Sequence, residues 1–140
     1  MPSNEASDYS IELSIASSKD GTIGNSTSSS PVISENGRYV GFRSSSPNLF
    51  SEDVELSGDE WHHYGSQVFV KDLSTDELFH VTNLDGWLGD GDIDSADPLA
   101  INSDGDLLFA SDQKWVTEDN SYSDQSDVYL WKKADRSLTL

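Results

Sequence analysis

Cysteine is missing from all 140 residues. That absence excludes disulfides, zinc–thiolate centres and thiol catalysis. Basic residues are scarce: eight Lys and Arg stand against 26 Asp and Glu, for a formal charge of −18. A field of that sign repels nucleic acid and anionic membranes and favours cations and basic partners. No apolar run approaches the roughly eighteen residues of a membrane helix, so membrane insertion is not expected. The opening decapeptide, MPSNEASDYS, has neither a basic n-region nor an apolar core, so no signal peptide is expected. An internal piece of a longer, processed chain is the favoured reading over a cytoplasmic protein. Also absent are Gly-x-Ser-x-Gly, a glycine-rich phosphate loop and His-Glu-x-x-His, the short signatures of nucleophilic, phosphoryl-transfer and metallohydrolase chemistry.

Helical periodicity is lacking as well. What recurs instead is period-2 alternation, as in YSIELSIAS, QVFVKDL, ELFHVTNL and DVYLWKK. These runs are rich in β-branched and aromatic residues and end in Ser, Asn, Asp and Gly clusters, as strands do. The expected fold is all-β. SPVISENGRYVGFRS, from Ser30 to Ser44, returns in degraded form as DPLAINSDGDLLFAS, from Asp97 to Ser111. Pro31 to Phe42 and Pro98 to Phe109 hold a constant offset of 67, and self-similarity at a fixed distance signals repeated structural units. Farther on the offset falls to 60, with Val68-Phe69-Val70 matching Val128-Tyr129-Leu130. In register, the copies predict one strand at 10–17 and two sets of four. The first set is 31–34, 38–44, 66–72 and 77–83; the second is 98–101, 106–111, 126–132 and 136–140. Asn36-Gly37 and Asp104-Gly105 supply the hairpin turns.

Four antiparallel strands per repeat is the grammar of a propeller blade. SSSPVISENGRYVGFRSSSPNLF followed by QVFVKDLSTDELFHVT resembles the TolB-like β-propeller repeat of bacterial periplasmic and surface proteins. The second copy keeps Pro98, Asp104-Gly105, Phe109 and Asp127-Val128-Tyr129 but loses the Arg-Tyr and Asp-Leu pairs. The resemblance implies about two four-stranded antiparallel propeller blades plus one N-terminal strand from a preceding blade. Its boundaries are a disordered or linker segment at 1–9, the last strand of the preceding blade and crossover at 10–30, blade one at 31–97 and blade two at 98–140. Blade one carries an inserted loop at 47–65 and an acidic crossover at 84–97. Two blades cannot close a propeller, so further blades in the same chain or self-association are expected; a two-sheet sandwich is the competing architecture.

In a meander blade, the loop between the second and third strands shares an end with the crossover to the next blade. The stretches 51–60, 84–97 and 118–127 therefore belong to one face. They hold fourteen of the 26 acids and no Lys or Arg. Arg38, Lys71, Lys132, Lys133 and Arg136 fall near turns at the other end. Such acidic loops either serve solubility or form a face for a cation, with calcium the fitting ion, or for a basic protein. In DGDIDSADPLAI, Asp90, Asp92 and Asp94 match the first, third and fifth ligands of a calcium loop. Ser95 and Ile101 break the pattern, and Asp97 is the substitute ligand. DEWHHYG brings Trp61, His62, His63 and Tyr64 to the inserted loop, and Trp87 lies in the crossover. These aromatics and histidines either contact a ligand or fold back as an apolar cap. His80, inside a strand, reads as structural.

SKDGTI at Ser18 falls short of a sialidase-type Asp box, because Gly21 comes one residue early and Trp is missing. No carboxylate pair is placed well enough to name an acid and a base. The function expected is a non-enzymatic binding module of a bacterial surface or periplasmic protein. The alternative is part of a propeller hydrolase acting on glycans or peptides, with its catalytic residues outside this chain.

Overall fold

The computed structural model describes residues 16–50, 66–82, 96–112 and 126–140. They form two four-stranded antiparallel sheets in plain meander order. The first contains β1 (Ser28–Ile33), β2 (Tyr39–Ser44), β3 (Gln67–Asp72) and β4 (Leu78–His80). The second contains β5 (Ala96–Ile101), β6 (Leu107–Ser111), β7 (Asp127–Trp131) and β8 (Leu138–Thr139). A 3-10 turn, Pro47–Leu49, follows β2. The all-β expectation holds, and all eight strands fall within three residues of their expected spans. The strand expected at 10–17 lies almost wholly outside the described residues. Of it, Ser17 bridges to Ile23 around a turn in which Gly21 takes φ +85°.

Two of the starts differ from expectation for one reason. β1 and β5 begin two or three residues ahead of the repeat prolines, at Ser28 and Ala96. Ser28 and Ser29 pair with Ser44 and Arg43, and Ala96 and Asp97 pair with Ser111 and Ala110. The register then slips beside Pro31 and Pro98. Proline has no amide hydrogen for the ladder and is tolerated on an edge strand at a bulge. Each proline thus interrupts a strand that its sequence seemed to open. The hairpins also depart from a turn with two left-handed residues. In the β1–β2 and β5–β6 turns Gly37 (φ +70°) and Gly105 (φ +84°) turn left-handed, while Asn36 and Asp104 do not. This is the three-to-five-residue loop built on an ordinary turn with glycine at its end.

Alternation sorts the side chains onto two faces of each sheet. In the first sheet Tyr39, Val68, Val70, Phe79 and Val81 turn one way. They join Ala96, Leu107, Phe109, Tyr129 and Trp131 of the second sheet in one buried cluster. The sheets therefore pack face to face. The opposite face of the first sheet buries Val40, Phe42, Leu49 and Phe69, with Ala16, Phe50 and Leu78 against them. The two sheets come close at Gly41: a Cβ there would lie 2.7 Å from Leu107 Cδ1 of the second sheet and 2.9 Å from Val32 Cγ2 of the first.

Candidate functional site

Strand pairing decides which ends the long connections share. β2 finishes at Ser44 beside Gln67, where β3 begins, and β6 finishes at Ser111 between Ala96 and Asp127, where β5 and β7 begin. Arg43 and Asp97 tie the two sheets at this same end. The Arg43 guanidinium donates to Asp97 Oδ1 at 2.8 Å and to Ser29 Oγ at 2.8 Å. Ser30 Oγ lies 3.5 Å from the same carboxylate oxygen. At the other end the tight turns touch: Asn36 donates from Nδ2 to the Ser103 carbonyl at 3.2 Å. Both sheets consequently point the same way, and the segments 45–66, 81–95 and 112–126 all leave from one end.

Of the residues singled out in the sequence, Asp97 alone is described, together with the structural candidate His80. Trp61, His62, His63, Tyr64, Trp87, Asp90, Asp92 and Asp94 lie outside the described residues. Asp97 belongs to β5 rather than to a loop, and the guanidinium already engages one of its oxygens. Asp127 likewise is the first residue of β7. Arg43 had no role in the sequence reading, because nothing in YVGFRS marks it as facing another repeat.

His80 is half-buried and stacks on Phe69 at 4.7 Å, with Phe50 tilted against it at 5.1 Å. Burial pulls its pKa down to about 3, so the ring is neutral near pH 7. Nε2 lies 3.1 Å from Gln67 Oε1, a contact that needs the proton on Nε2. Thr82 Oγ1 donates to the same oxygen and accepts the Val68 amide at 3.1 Å. This network closes the edge of the first sheet. Beside it a cleft of about 460 Å³ is lined by Lys19, Asp20, Thr22, Asn48 and Phe50, among others. Hydrogen bonds from Ser18 and from Thr22 hold Asp20 ionised, with its pKa lowered to about 2. Asn48 is occupied in bracing the loop: it donates to the Ile23 carbonyl at 2.8 Å and accepts the Asn25 amide at 3.0 Å. Among the described residues no three His, Cys, Asp or Glu gather as a metal set.

The turn end carries Arg38, Lys132, Lys133 and Arg136. Arg38 meets Asp72 through two bonds of 3.0 and 2.8 Å, and Asp72 also caps Ser74. These bonds, the one from Arg38 foremost, hold the Asp72 carboxyl far below its ordinary 3.8. In the second sheet the polarity reverses. Asp106 takes the place of Tyr39 and accepts from Lys132 Nζ at 3.3 Å. Burial opposes ionisation of Asp106, but bonds from the Lys133 amide, Asn102 and Lys132 outweigh it. Lys132 stands where the first sheet has Asp72, but its partner Asp106 stands one place along from the counterpart of Arg38, so the second unit pairs opposite charges with their signs exchanged and shifted by one residue. Lys133 lies 5.4 Å from the Tyr39 ring centre and Arg136 lies 5.7 Å from that of Phe79, so the second sheet's cations sit on the first sheet's aromatics. Lys71 departs from this surface set. It is buried, its ammonium donates to the Ser17 and Ser18 carbonyls at 3.0 Å, and desolvation lowers its pKa.

No family model, curated protein or solved structure matches the chain. The arrangement offers an end from which the long acidic connections leave, an end of paired charges, and an outer face of the second sheet on which Leu108 and Val128 are exposed.

A depressed carboxyl makes stability depend on acid. Asp72 contributes stability above its unfolded pKa near 3.8, and loses it as pH falls through that value toward the folded one. Asp72→Asn is expected to cost about 1–2 kcal/mol at pH 7, modest because Arg38 is 44% exposed. Chemical denaturation of both proteins at pH 7 and pH 3 checks this. The gap should narrow at pH 3, and an equal gap at both values would remove Asp72 as the group responsible.

Proposed function

We propose that the chain is a non-enzymatic binding module of two propeller-blade-type units, similar to TolB-like repeats of bacterial periplasmic and surface proteins. It engages a basic protein partner or a cation through the end from which its long connections leave. The observation that carries this reading is the shared orientation of the two sheets, with 45–66, 81–95 and 112–126 anchored at one end. Within them fall most of the fourteen acids of 51–60, 84–97 and 118–127. Two of those acids, Asp97 and Asp127, belong to strands, and Asp97 is already matched by Arg43. The remaining loop carboxylates have no Lys or Arg within their own stretches, so a counter-charge lowers their mutual repulsion.

Calcium is the cation whose hard oxygen chemistry suits Asp90, Asp92 and Asp94, with Asp97 contributing only in competition with its arginine. Thermal melting across a calcium titration tests the ion. The midpoint should rise, by an amount equivalent to about 2.7 kcal/mol at a hundred times the dissociation constant. The triple Asp90→Asn, Asp92→Asn, Asp94→Asn variant should lose the rise. A lysine-rich peptide, assayed from low to high salt, tests the partner arm. A chain that neither shifts in millimolar calcium nor holds the peptide at low salt does not use this end for binding.

A further inference from the structure

The two sheets are related residue by residue, by 67 from β2 to β6 and by 60 from β3 to β7, and this relation exposes a directional pattern. The first sheet turns Tyr39, Gly41, Val68 and Val70 toward the second. Their counterparts in the second sheet are Asp106, Leu108, Val128 and Leu130. The second sheet answers with Leu107, Phe109, Tyr129 and Trp131. Their counterparts in the first are Val40, Phe42, Phe69 and Lys71. The internal contact is therefore head to tail: one kind of face lies on the other kind. Such packing leaves one face of each kind at the outside of the pair.

Both outer faces carry the marks of a contact surface. On the second sheet Leu108 is 36% and Val128 is 48% exposed, although their counterparts lie at the internal contact. Leu99 and Leu140 are exposed as well. On the first sheet the cover supplied by Ala16, Leu49 and Phe50 is incomplete. It leaves an apolar groove of about 260 Å³ lined by Ala16, Ser28, Ser29, Pro31, Val40 and Phe42. One difference between the repeats gives the two surfaces complementary shapes. Gly41 is flat so that Leu107 can approach, whereas Leu108 in the same place makes a knob, and the groove beside Val40 and Phe42 has room for a leucine.

We propose that the chain binds a second copy of itself head to tail, with the Leu108–Val128 face of one copy seated in the Pro31–Val40–Phe42 groove of the next. The contact is heterologous, so each copy keeps one free face and assembly continues beyond two until a ring closes. It repeats between chains the contact that the two sheets make within one. Two chains of −18 repel, and added salt shortens that repulsion from about 10 Å at 0.1 M to about 3 Å at 1 M. Assembly should thus strengthen with salt, opposite to the acidic-end binding proposed above, so the failure of either idea is recognisable without the other.

Sedimentation velocity of the full chain over a concentration series, at low and high salt, is the first measurement; mass should grow with both. Leu108→Asp removes the knob and Pro31→Asp charges the groove rim, each at a solvent-accessible position where the fold can be verified by circular dichroism. Either variant alone should remain monomeric. Mixed together they should form a one-to-one dimer, because each retains the half that the other lacks. A wild-type chain that stays monomeric throughout, single variants that still assemble, or a mixture that fails to pair would each overturn the proposal.

Discussion

Trp131→Ala is expected to lower the stability of the chain by about 3–5 kcal/mol, the usual cost of removing a large aromatic from a packed interior. Trp131 closes β7, is 2% exposed, and meets Phe79 of the first sheet at 5.7 Å between ring centres. Leu107, Phe109 and Tyr129 surround it in the same buried cluster, and Tyr39, Val68 and Val70 face them across the contact. Truncation would open a cavity at the contact itself, and the strands on either side, held in ladders, cannot collapse to fill it. Urea denaturation is the measurement. Val128→Ala provides the control on the same strand at chain concentrations low enough to keep the protein monomeric, since Val128 is then 48% exposed and its loss should change stability by no more than about 0.5 kcal/mol. A cost below about 1 kcal/mol for Trp131→Ala would mean that the sheets do not depend on this face.

Gly41→Leu should cost about 3 kcal/mol or more, at the upper end of what overpacking does. The test is pointed because leucine is the residue the second unit carries at the equivalent place, Leu108. On β6 a leucine is harmless, for that face is open. On β2 the added Cβ alone would come within 3 Å of Leu107 and Val32, and the rest of the side chain would meet Ile101 and the second sheet. The same residue in the same repeat position is thus expected to be neutral in one unit and disruptive in the other. The reverse substitution, Leu108→Gly, should lose far less, chiefly strand propensity. Melting curves of the two variants decide it. Equal losses would show that the sheets are not in the close contact that makes Gly41 necessary.

Much of this was legible in the residues. Alternation in QVFVKDL and DVYLWKK gave β3 and β7 to within a residue or two, because a strand buried on at least one face must repeat with period two. The offset of 67 gave β2 and β6 together with their turns, since a repeated turn chemistry forces a repeated hairpin. The common direction of the long connections also followed from meander order. Illegible were the contacts that cross from one unit to the other. Arg43 with Asp97, Asn36 with Ser103, and Lys133 over Tyr39 link residues 54, 67 and 94 positions apart, and no local pattern marks them. Pro31 and Pro98 misled for a physical reason: proline ordinarily opens a strand, and here an edge position with a bulge lets it stand inside one.

Composition and spacing by themselves determined that this chain forms sheets, that it forms them twice, and that its carboxylates crowd into the connections at one end. Those properties are local, written by backbone preference and by the short reach of a turn. Tertiary structure alone decided which face of each sheet meets the other sheet. Each face of β2 and of β6 carries buried or apolar side chains, Tyr39 and Gly41 opposite Val40 and Phe42, and Leu107 and Phe109 opposite Leu108 and Ala110, so alternation cannot choose between them. The choice falls to steric fit, where a missing Cβ at Gly41 admits Leu107 and a leucine at Leu108 leaves the corresponding surface open.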